Sequence, residues 1–213
     1  QALLGRKHDS YSTYLRQQWW PINIRKRYVV FERPMAEHYT PPQTVSVIGA
    51  IGQPFKFRRT LRNVLLVAYN TAPTPLLMTI PWLLANRISV TMVLQGEALD
   101  YDTQHLSPEV EIIRGDKIEF DWNDQLMTMG WADQVFVAVR PDDELLNFTN
   151  VLTRFRERKG VNGVGKNYLF GVFQSMLPCG AGACHACGLR VSDKTSLVCL
   201  EGPSYDLTLV KLT

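Results

Sequence analysis

Residues 63–95, NVLLVAYNTAPTPLLMTIPWLLANRISVTMVLQ, contain two continuous apolar runs separated by a segment with helical character. Apolar runs without alternation are typical of strands that are buried on both faces of a parallel sheet. Two parallel strands need a crossover connection, and this connection is usually a helix. The stretch therefore predicts a strand, helix, strand unit. Pro81 falls inside the helical segment 75–87 and predicts either a kink or a regular helix that starts near Thr79.

The same alternation of strands and helices continues to residue 173. The predicted strands are 63–69, 88–95, 110–114, 134–139 and 167–173. The predicted helices are 75–87, a weaker segment around 121–130, and 142–159. This order predicts an α/β fold, with a five-stranded parallel sheet flanked by helices.

The first 60 residues have a different character. They contain Trp19-Trp20-Pro21, the strand-like runs RYVVFE (27–32) and TVSVIGAIGQPF (44–55), and prolines between those runs. We expect an extended or β-type lead-in to the α/β domain. The two tryptophans are expected to pack either on this domain or on a partner, because large exposed apolar side chains are unfavourable in water.

Composition places the chain among globular proteins. Of its 213 residues 46% are hydrophobic and 20% are charged, and the formal net charge is +3. That charge is too small, and its basic clusters too dispersed, to indicate a nucleic-acid partner. No apolar run approaches the roughly 20 residues of a membrane helix. We therefore expect a cytoplasmic protein that is not inserted in a membrane.

All four cysteines lie near the C-terminus, with the spacing Cys179-x4-Cys184-x2-Cys187-x11-Cys199. This spacing is typical of a [2Fe–2S] cluster, in which four thiolates converge on two irons. Gly180 and Gly182 can take positive φ angles, which would let backbone N–H groups point at the cluster sulfurs. Residues 189–198 read as a short hairpin with a turn at 192–194, which would return Cys199 to the loop.

Four cysteines are also compatible with a zinc site or with two disulfides. Structural zinc sites prefer paired Cys-x2-Cys motifs, and only one such pair is present here. A dense loop of three cysteines is a poor disulfide framework, and the chain is long enough to form an ordinary core. His185 lies between two candidate ligands, but four thiolates already saturate the cluster. We therefore interpret His185 as a surface or neighbouring residue.

The segments CGAGACHAC (179–187) and VCLEGPSYD (198–206) resemble the cluster region of the dihydroorotate dehydrogenase electron-transfer subunit family, in the ferredoxin-NADP reductase superfamily. The resemblance covers about residues 44–213, because VIGAIGQPF (47–55) is similar to the turn that ends the family's flavin-binding barrel. It implies a nucleotide-binding domain after that turn, followed by the cluster. It also implies that the four cysteines are the ligands. In the family, the cluster passes electrons between the flavin of its own subunit and the flavin of a catalytic subunit.

The chain departs from the family in the flavin-binding part. Only about 45 residues precede the matching turn, which is too few for the family's full barrel. Residues 33–36, Arg-Pro-Met-Ala, only partly match the family's flavin motif, since they lie close to the turn and lack its serine. We therefore expect that this chain alone does not bind FAD.

The nucleotide-binding part departs as well. In AYNTAPTPL (68–76), the family's glycines are replaced by Tyr69, Asn70 and Ala72, while Pro75 and Leu76 are retained. Glycines let the backbone approach a pyrophosphate, and side chains now occupy that space. Residues 139–141, Val-Arg-Pro, replace a Cys-Gly-Pro segment that lies beside the nicotinamide in the family. Two independent losses predict that NAD(P) is not bound.

The sequence predicts a division of the chain into three parts. Residues 1–60 are an N-terminal extension with the remnant of a flavin-barrel-like region. Residues 61–166 are a degenerate nucleotide-binding-like domain, and residues 167–213 bind the cluster.

Three functions remain open at this point. The first is an electron-transfer subunit that works with a partner oxidoreductase, with a flavin-containing subunit among the candidates, in a homo- or hetero-oligomer. The second is a non-catalytic scaffold, or a redox- or iron-sensing interaction protein, whose cluster is structural. The third is a reductase with an unorthodox site, in which Asn70 and Thr71 contact phosphate.

Overall fold

The computed structural model of the chain describes residues 2–7, 17–32, 44–160, 163–174 and 176–212. The strands are β1 (Ala2–Lys7), β2 (Gln17–Ile24), β3 (Val29–Glu32), β4 (Val45–Ile51), β5 (Asn63–Tyr69), β6 (Ser89–Gln95), β7 (Glu111–Arg114), β8 (Gln134–Val139), β9 (Leu169–Val172), β10 (Gly188–Val191), β11 (Lys194–Leu197) and β12 (Ser204–Asp206). The α-helices are α1 (Thr74–Leu77), α2 (Ile80–Ala85), α3 (Gln125–Trp131), α4 (Glu144–Lys159) and α5 (Val198–Glu201). A 3₁₀ helix spans Gly96–Asp100.

A six-stranded sheet in the order β12-β9-β8-β5-β6-β7 organises the molecule. Its five strands from β9 to β7 are parallel, and they are the five predicted from the sequence. The α/β prediction is therefore confirmed. The sixth strand, β12, was not predicted. It pairs antiparallel with β9, and its three residues are too short to show a periodic pattern.

Helices cover both faces of this sheet. The predicted segment 75–87 divides into α1 and α2, and α2 begins directly after Thr79 with Pro81 in its first turn. The Thr79 hydroxyl donates a hydrogen bond to the Leu76 carbonyl at 2.6 Å, which stabilises the break between the two helices. The predicted break and the predicted start of a regular helix near Thr79 therefore both occur, because proline is well tolerated only in the first turn of a helix.

The lead-in forms a separate antiparallel sheet in the order β3-β2-β1-β4. Pro21 lies inside β2, and the register with β3 shifts between Pro21 and Asn23, as expected where a residue lacks a backbone donor. Trp20 is buried in the same core cluster as β5 and α1, so it packs within this chain. Residues 33–36, the partial match to a flavin motif, lie outside the described residues.

Two hydrophobic clusters lie on opposite faces of the large sheet. One joins Trp20, α1 and α2 to Phe136 and Phe170. The other joins α3 and α4 to the C-terminal segment and includes Cys187 and Cys199. The cysteine region therefore packs directly on the sheet. Among the described helices, none has the length and apolar character required to span a membrane.

Candidate metal centre

The first three cysteines lie on an irregular loop, residues 179–187, at the edge of the second hydrophobic cluster. Gly180, Gly182 and His185 have φ angles of +65°, +74° and +56°. These left-handed conformations turn successive peptide groups, as in loops whose N–H groups gather around a negatively charged centre. A Cβ atom built on Gly182 would lie only 2.6 Å from Cδ1 of Leu200, so a larger residue at this position would require the Leu200 side chain to move.

A hairpin brings the fourth cysteine back to this loop, as the sequence predicted. Strands β10 and β11 pair antiparallel from Gly188↔Leu197 to Val191↔Lys194. The Val198 N–H then donates to the Cys187 carbonyl at 3.0 Å. Cys199 follows in α5 and lies beside Cys187, with its N–H 3.5 Å from the Cys187 Sγ.

The four thiols differ in exposure. Cys187 and Cys199 are 5% and 2% exposed, whereas Cys179 is half-buried and Cys184 is exposed. All four are free thiols and not disulfides. The loop thus has one pair of cysteines in the core and one pair at the surface.

The environment of Cys179 favours its thiolate. The pKa of Cys179 is lowered from 9.0 to about 6, first by the N–H of Ala181, then by the N–H and the thiol of Cys184. The Ala181 N–H lies 3.4 Å from the Cys179 Sγ. Backbone donors at a sulfur are an arrangement that stabilises negative charge on a ligand.

Cys199 has the opposite shift. Its pKa is raised from 9.0 to about 11, first by burial and then by the thiol of Cys187, while the N–H of Gly182 acts to lower it. A buried thiolate without a compensating positive charge is costly. A metal at this position would supply that charge, so the donor chemistry fits a metal or cluster that binds thiolates.

The thiol contacts run in two pairs, Cys179 with Cys184 and Cys187 with Cys199. Among the described residues, no group of three or more His, Cys, Asp or Glu side chains is arranged to hold a metal ion. His185 is exposed, in agreement with its interpretation as a surface residue.

The candidate nucleotide edge is the carboxyl end of β5, β6 and β8. Asn70 follows β5 with φ +53°, and its Oδ1 accepts a hydrogen bond from the Glu97 N–H at 3.3 Å. A Cβ atom built on Gly96 would lie 1.7 Å from this oxygen. The Asn70 side chain is therefore packed over the turn after β6 and fills space at this edge.

Arg140 lies at the same edge, after β8. Its guanidinium is 3.3 Å from the Glu97 carboxylate and 3.6 Å from that of Asp142. Arg140 is therefore paired with acidic residues and does not offer a free positive charge. Two carboxylates at this edge also oppose the charge of a pyrophosphate.

A third carboxylate comes from the N-terminal sheet. Glu32, the last residue of β3, accepts hydrogen bonds from the Thr74 hydroxyl at 2.5 Å and the Tyr101 hydroxyl at 3.0 Å. Burial and the charge of Glu32 raise the pKa of Tyr101. Thr74 opens α1, so an internal carboxylate lies at the turn where the family places a phosphate.

An apolar cavity of about 450 Å³ separates the N-terminal sheet from α1 and α2. Its aromatic lining residues are Trp20, Phe55, Phe57 and Trp82. Phe57 and Trp82 are stacked, with ring centroids 4.8 Å apart. None of the residues that line this cavity is charged, so it offers no charged group for a phosphate.

The C-terminal segment matches a known family. Residues 174–211 match the family model described as the iron-sulfur cluster binding domain of dihydroorotate dehydrogenase B. The match includes all four cysteines, the hairpin, α5 and β12. No curated protein matches the chain significantly.

One solved structure shares the fold, and a second gives a weaker match. The structure of an NADH-dependent reduced ferredoxin-NADP oxidoreductase, described for flavin-based electron bifurcation, has a TM-score of 0.73 and 15% identity, and the match covers 100% of this chain and 79% of that one. The crystal structure of an intact type IV self-sufficient cytochrome P450 monooxygenase has a TM-score of 0.49 and 12% identity, over 90% of this chain and 31% of that one. The first likeness establishes the fold. The second is too weak to indicate anything further.

The family match confirms, for residues 174–211, the resemblance predicted from CGAGACHAC and VCLEGPSYD, and the structural likeness shows that the fold of the chain is shared. Sequence reasoning missed two sets of contacts beside the cysteines. One joins Ser196, Glu201 and Tyr205. The other joins Gly52 and Gln53 to α5. Neither has a sequence signal, because the partners are brought together only by the fold.

Proposed function

We propose that this chain is an iron–sulfur electron-transfer subunit that carries one [2Fe–2S] cluster on Cys179, Cys184, Cys187 and Cys199. The observation that carries the proposal is the pairing of the thiols, Cys179 with Cys184 on the loop and Cys187 with Cys199 between the loop and α5. The likeness of residues 174–211 to an iron–sulfur cluster domain supports the same assignment.

The pairing of the thiols favours a centre with two metal atoms. Cys179 and Cys184 would hold one iron near the surface, and Cys187 and Cys199 would hold the other in the core. When bound, such a cluster takes up and releases one electron. The N–H groups of Ala181, Gly182 and Cys199 lie close to sulfur atoms and would stabilise the negative charge that reduction adds.

The exposure of Cys184 indicates from which side a redox partner would approach the site. A redox partner can approach the surface pair without unfolding the loop, whereas Cys187 and Cys199 are shielded by the core. We therefore place the partner contact on the face of the loop that carries Cys184 and Gly180.

The rest of the chain supports a relay subunit and not a complete reductase. At the nucleotide edge, the Asn70 side chain fills space over the turn after β6, and Arg140 is paired with Glu97 and Asp142. We propose that NAD(P) and FAD are not bound by this chain alone. Electrons would then come from, or pass to, a partner oxidoreductase in a larger assembly, with a flavin-containing subunit as the expected type. The division into residues 1–60, 61–166 and 167–213 belongs to the same proposal.

Anaerobic purification, with iron, sulfide, zinc and flavin measured on one sample, tests the assignment. We expect about two irons and two sulfides per chain, with an absorption that bleaches and an EPR signal that develops on reduction with dithionite. One zinc per chain, or a folded protein without metal, would contradict it and would favour a scaffold with a cysteine motif that no longer has a redox use.

A further inference from the structure

The turn after β4 contacts the helix that carries the fourth cysteine. Three hydrogen bonds join them. The Gly52 N–H donates to the Cys199 carbonyl at 3.0 Å, and the Gln53 N–H donates to the Gly202 carbonyl at 2.5 Å. The Gln53 Nε2 donates to the Leu200 carbonyl at 3.0 Å.

These contacts satisfy the carboxyl end of α5. The last carbonyls of a helix have no partners within the helix, and α5 contains only the four residues Val198–Glu201. A helix of one turn has little stability of its own. Its position therefore depends on the groups that cap it, and the cap comes from a residue about 150 positions earlier in the chain.

The turn is built for close approach. Gly52 has a φ angle of +81°, and a Cβ atom built on it would lie 2.6 Å from the Gly202 carbonyl oxygen. Ile51, just before it, is buried in the same cluster as Cys187 and Cys199. The turn thus meets the cysteine region through both its backbone and its core side chain.

The position of α5 controls two contacts of the proposed ligands. The Cys199 N–H lies 3.5 Å from the Cys187 Sγ, and the Gly182 N–H acts on the Cys199 thiol. On its other side, α5 places Leu200 against Gly182 of the loop. A shift of α5 would therefore change N–H contacts at two sulfurs, and such contacts set the potential of a cluster.

We infer that Gln53 is a positioning residue for Cys199, acting through the carbonyl of Leu200 and the cap of α5. The electrochemical part of this inference rests on the proposed function. The conformational part does not, because the hydrogen bonds are formed by the chain itself.

Gln53→Ala is the primary test, because Gln53 is exposed and its truncation leaves the core intact. We expect a lower reduction potential, measured by EPR-monitored titration, because N–H contacts to sulfur are weakened. We also expect loss of visible absorption to a chelator to be about tenfold faster, as for other residues that orient metal ligands. Gln104→Ala, at an exposed glutamine far from α5 in the sequence, is the matched control and should leave both values unchanged.

Two further variants separate the hydrogen bond from simple bulk. Gln53→Glu keeps the shape but lacks the donor, so it should behave like Gln53→Ala. Gln53→Lys keeps a donor and should recover part of the potential. An unchanged potential in Gln53→Ala and Gln53→Glu would overturn the positioning role, even if both variants were less stable.

Hydrogen exchange makes the test independent of the cluster. In Gln53→Ala, we expect faster exchange at residues 198–202 than in the unsubstituted chain and in Gln104→Ala. If the purified chain contained no iron, the proposed function would fail, and exchange alone would decide the inference about Gln53. Equal exchange at residues 198–202 in all three proteins would overturn it.

Discussion

The cysteine loop and the nucleotide edge belong to the same α/β unit, but they differ in how closely a ligand can approach the backbone. In the loop, Gly180 and Gly182 keep the left-handed conformations that bring N–H groups to the thiols. At the edge, Asn70 fills the turn after β5, and Glu97 pairs with Arg140. Four thiolates suffice to hold a cluster, but a pyrophosphate needs a bare backbone over several residues. Under the proposed function, a few side chains close the nucleotide site while the cluster site is kept.

The largest expected effect comes from Cys184→Ser. Removal of one thiolate from a four-thiolate site should abolish the visible chromophore and most of the bound iron. Absorption spectra and iron content of the anaerobically purified variant measure this. His185→Asn is the matched control, because asparagine accepts the left-handed conformation of His185 (φ +56°) and no ligand is removed. An unchanged iron content in Cys184→Ser would contradict the proposed site, because it would show that Cys184 is not a ligand.

Ser196→Ala tests how the fold supports the buried cysteines. The Ser196 hydroxyl donates to the Glu201 carboxylate at 2.6 Å and lies 2.9 Å from the Tyr205 hydroxyl. Because its removal takes a hydrogen-bond partner from the buried Tyr205 hydroxyl, we expect a loss of about 1–3 kcal/mol in the free energy of unfolding. Denaturant titration measures it, and cluster loss to a chelator should also become faster.

Thr195→Ala is the control for this variant, since Thr195 is exposed on the same strand. It should change the free energy of unfolding by less than about 0.5 kcal/mol. Equal effects of the two substitutions would show that the Ser196 contacts do not stabilise α5.

Tyr101→Phe tests the nucleotide edge and should have a smaller effect. It removes the hydrogen bond to Glu32, which we expect to cost about 1 kcal/mol at neutral pH. Burial first, and then the Glu32 charge, raise the pKa of Tyr101 above 10.0, so the folded chain keeps this proton longer than the unfolded chain. This contribution is fully present below pH 10 and is lost as the pH rises above that value.

Unfolding at several pH values between 7 and 11 checks the sign. The free energy of unfolding should fall less steeply above about pH 10 in Tyr101→Phe than in the unsubstituted chain. Identical slopes would contradict the burial of this tyrosine beside Glu32. The cluster spectrum at pH 7 should be the same in both proteins, because Tyr101 belongs to the edge and not to the loop.

The large sheet was predictable from the sequence because parallel strands that are buried on both faces consist of uninterrupted apolar runs. Residues 63–69 and 134–139 match β5 and β8 at both ends. Strand β12 was missed because it is only three residues long and depends on its pairing with β9. In the N-terminal sheet, β2 was not predicted because it contains Pro21, and proline inside a run normally argues against a strand.

The sequence predicts four ligands for the cysteine site, but it does not predict the contacts that support them. Spacing alone brought Cys179, Cys184, Cys187 and Cys199 together as a hypothesis, and the structure places their thiols in contact as two pairs. The capping of α5 by Gln53 could not be predicted, because no local pattern links residues so far apart in the chain. The pairing of Arg140 with Glu97 was hidden for the same reason.

The most direct test of the contrast is one anaerobic titration of the purified chain, followed by visible absorption, with NADH added first and dithionite second. If the loop is retained and the edge is closed, NADH will leave the spectrum unchanged and dithionite will bleach it. Bleaching by NADH would contradict this account, because it requires a bound nucleotide and also a flavin that divides the two electrons of the hydride into single electrons for the cluster. If the chain had no visible absorption before either addition, the proposed cluster would be absent.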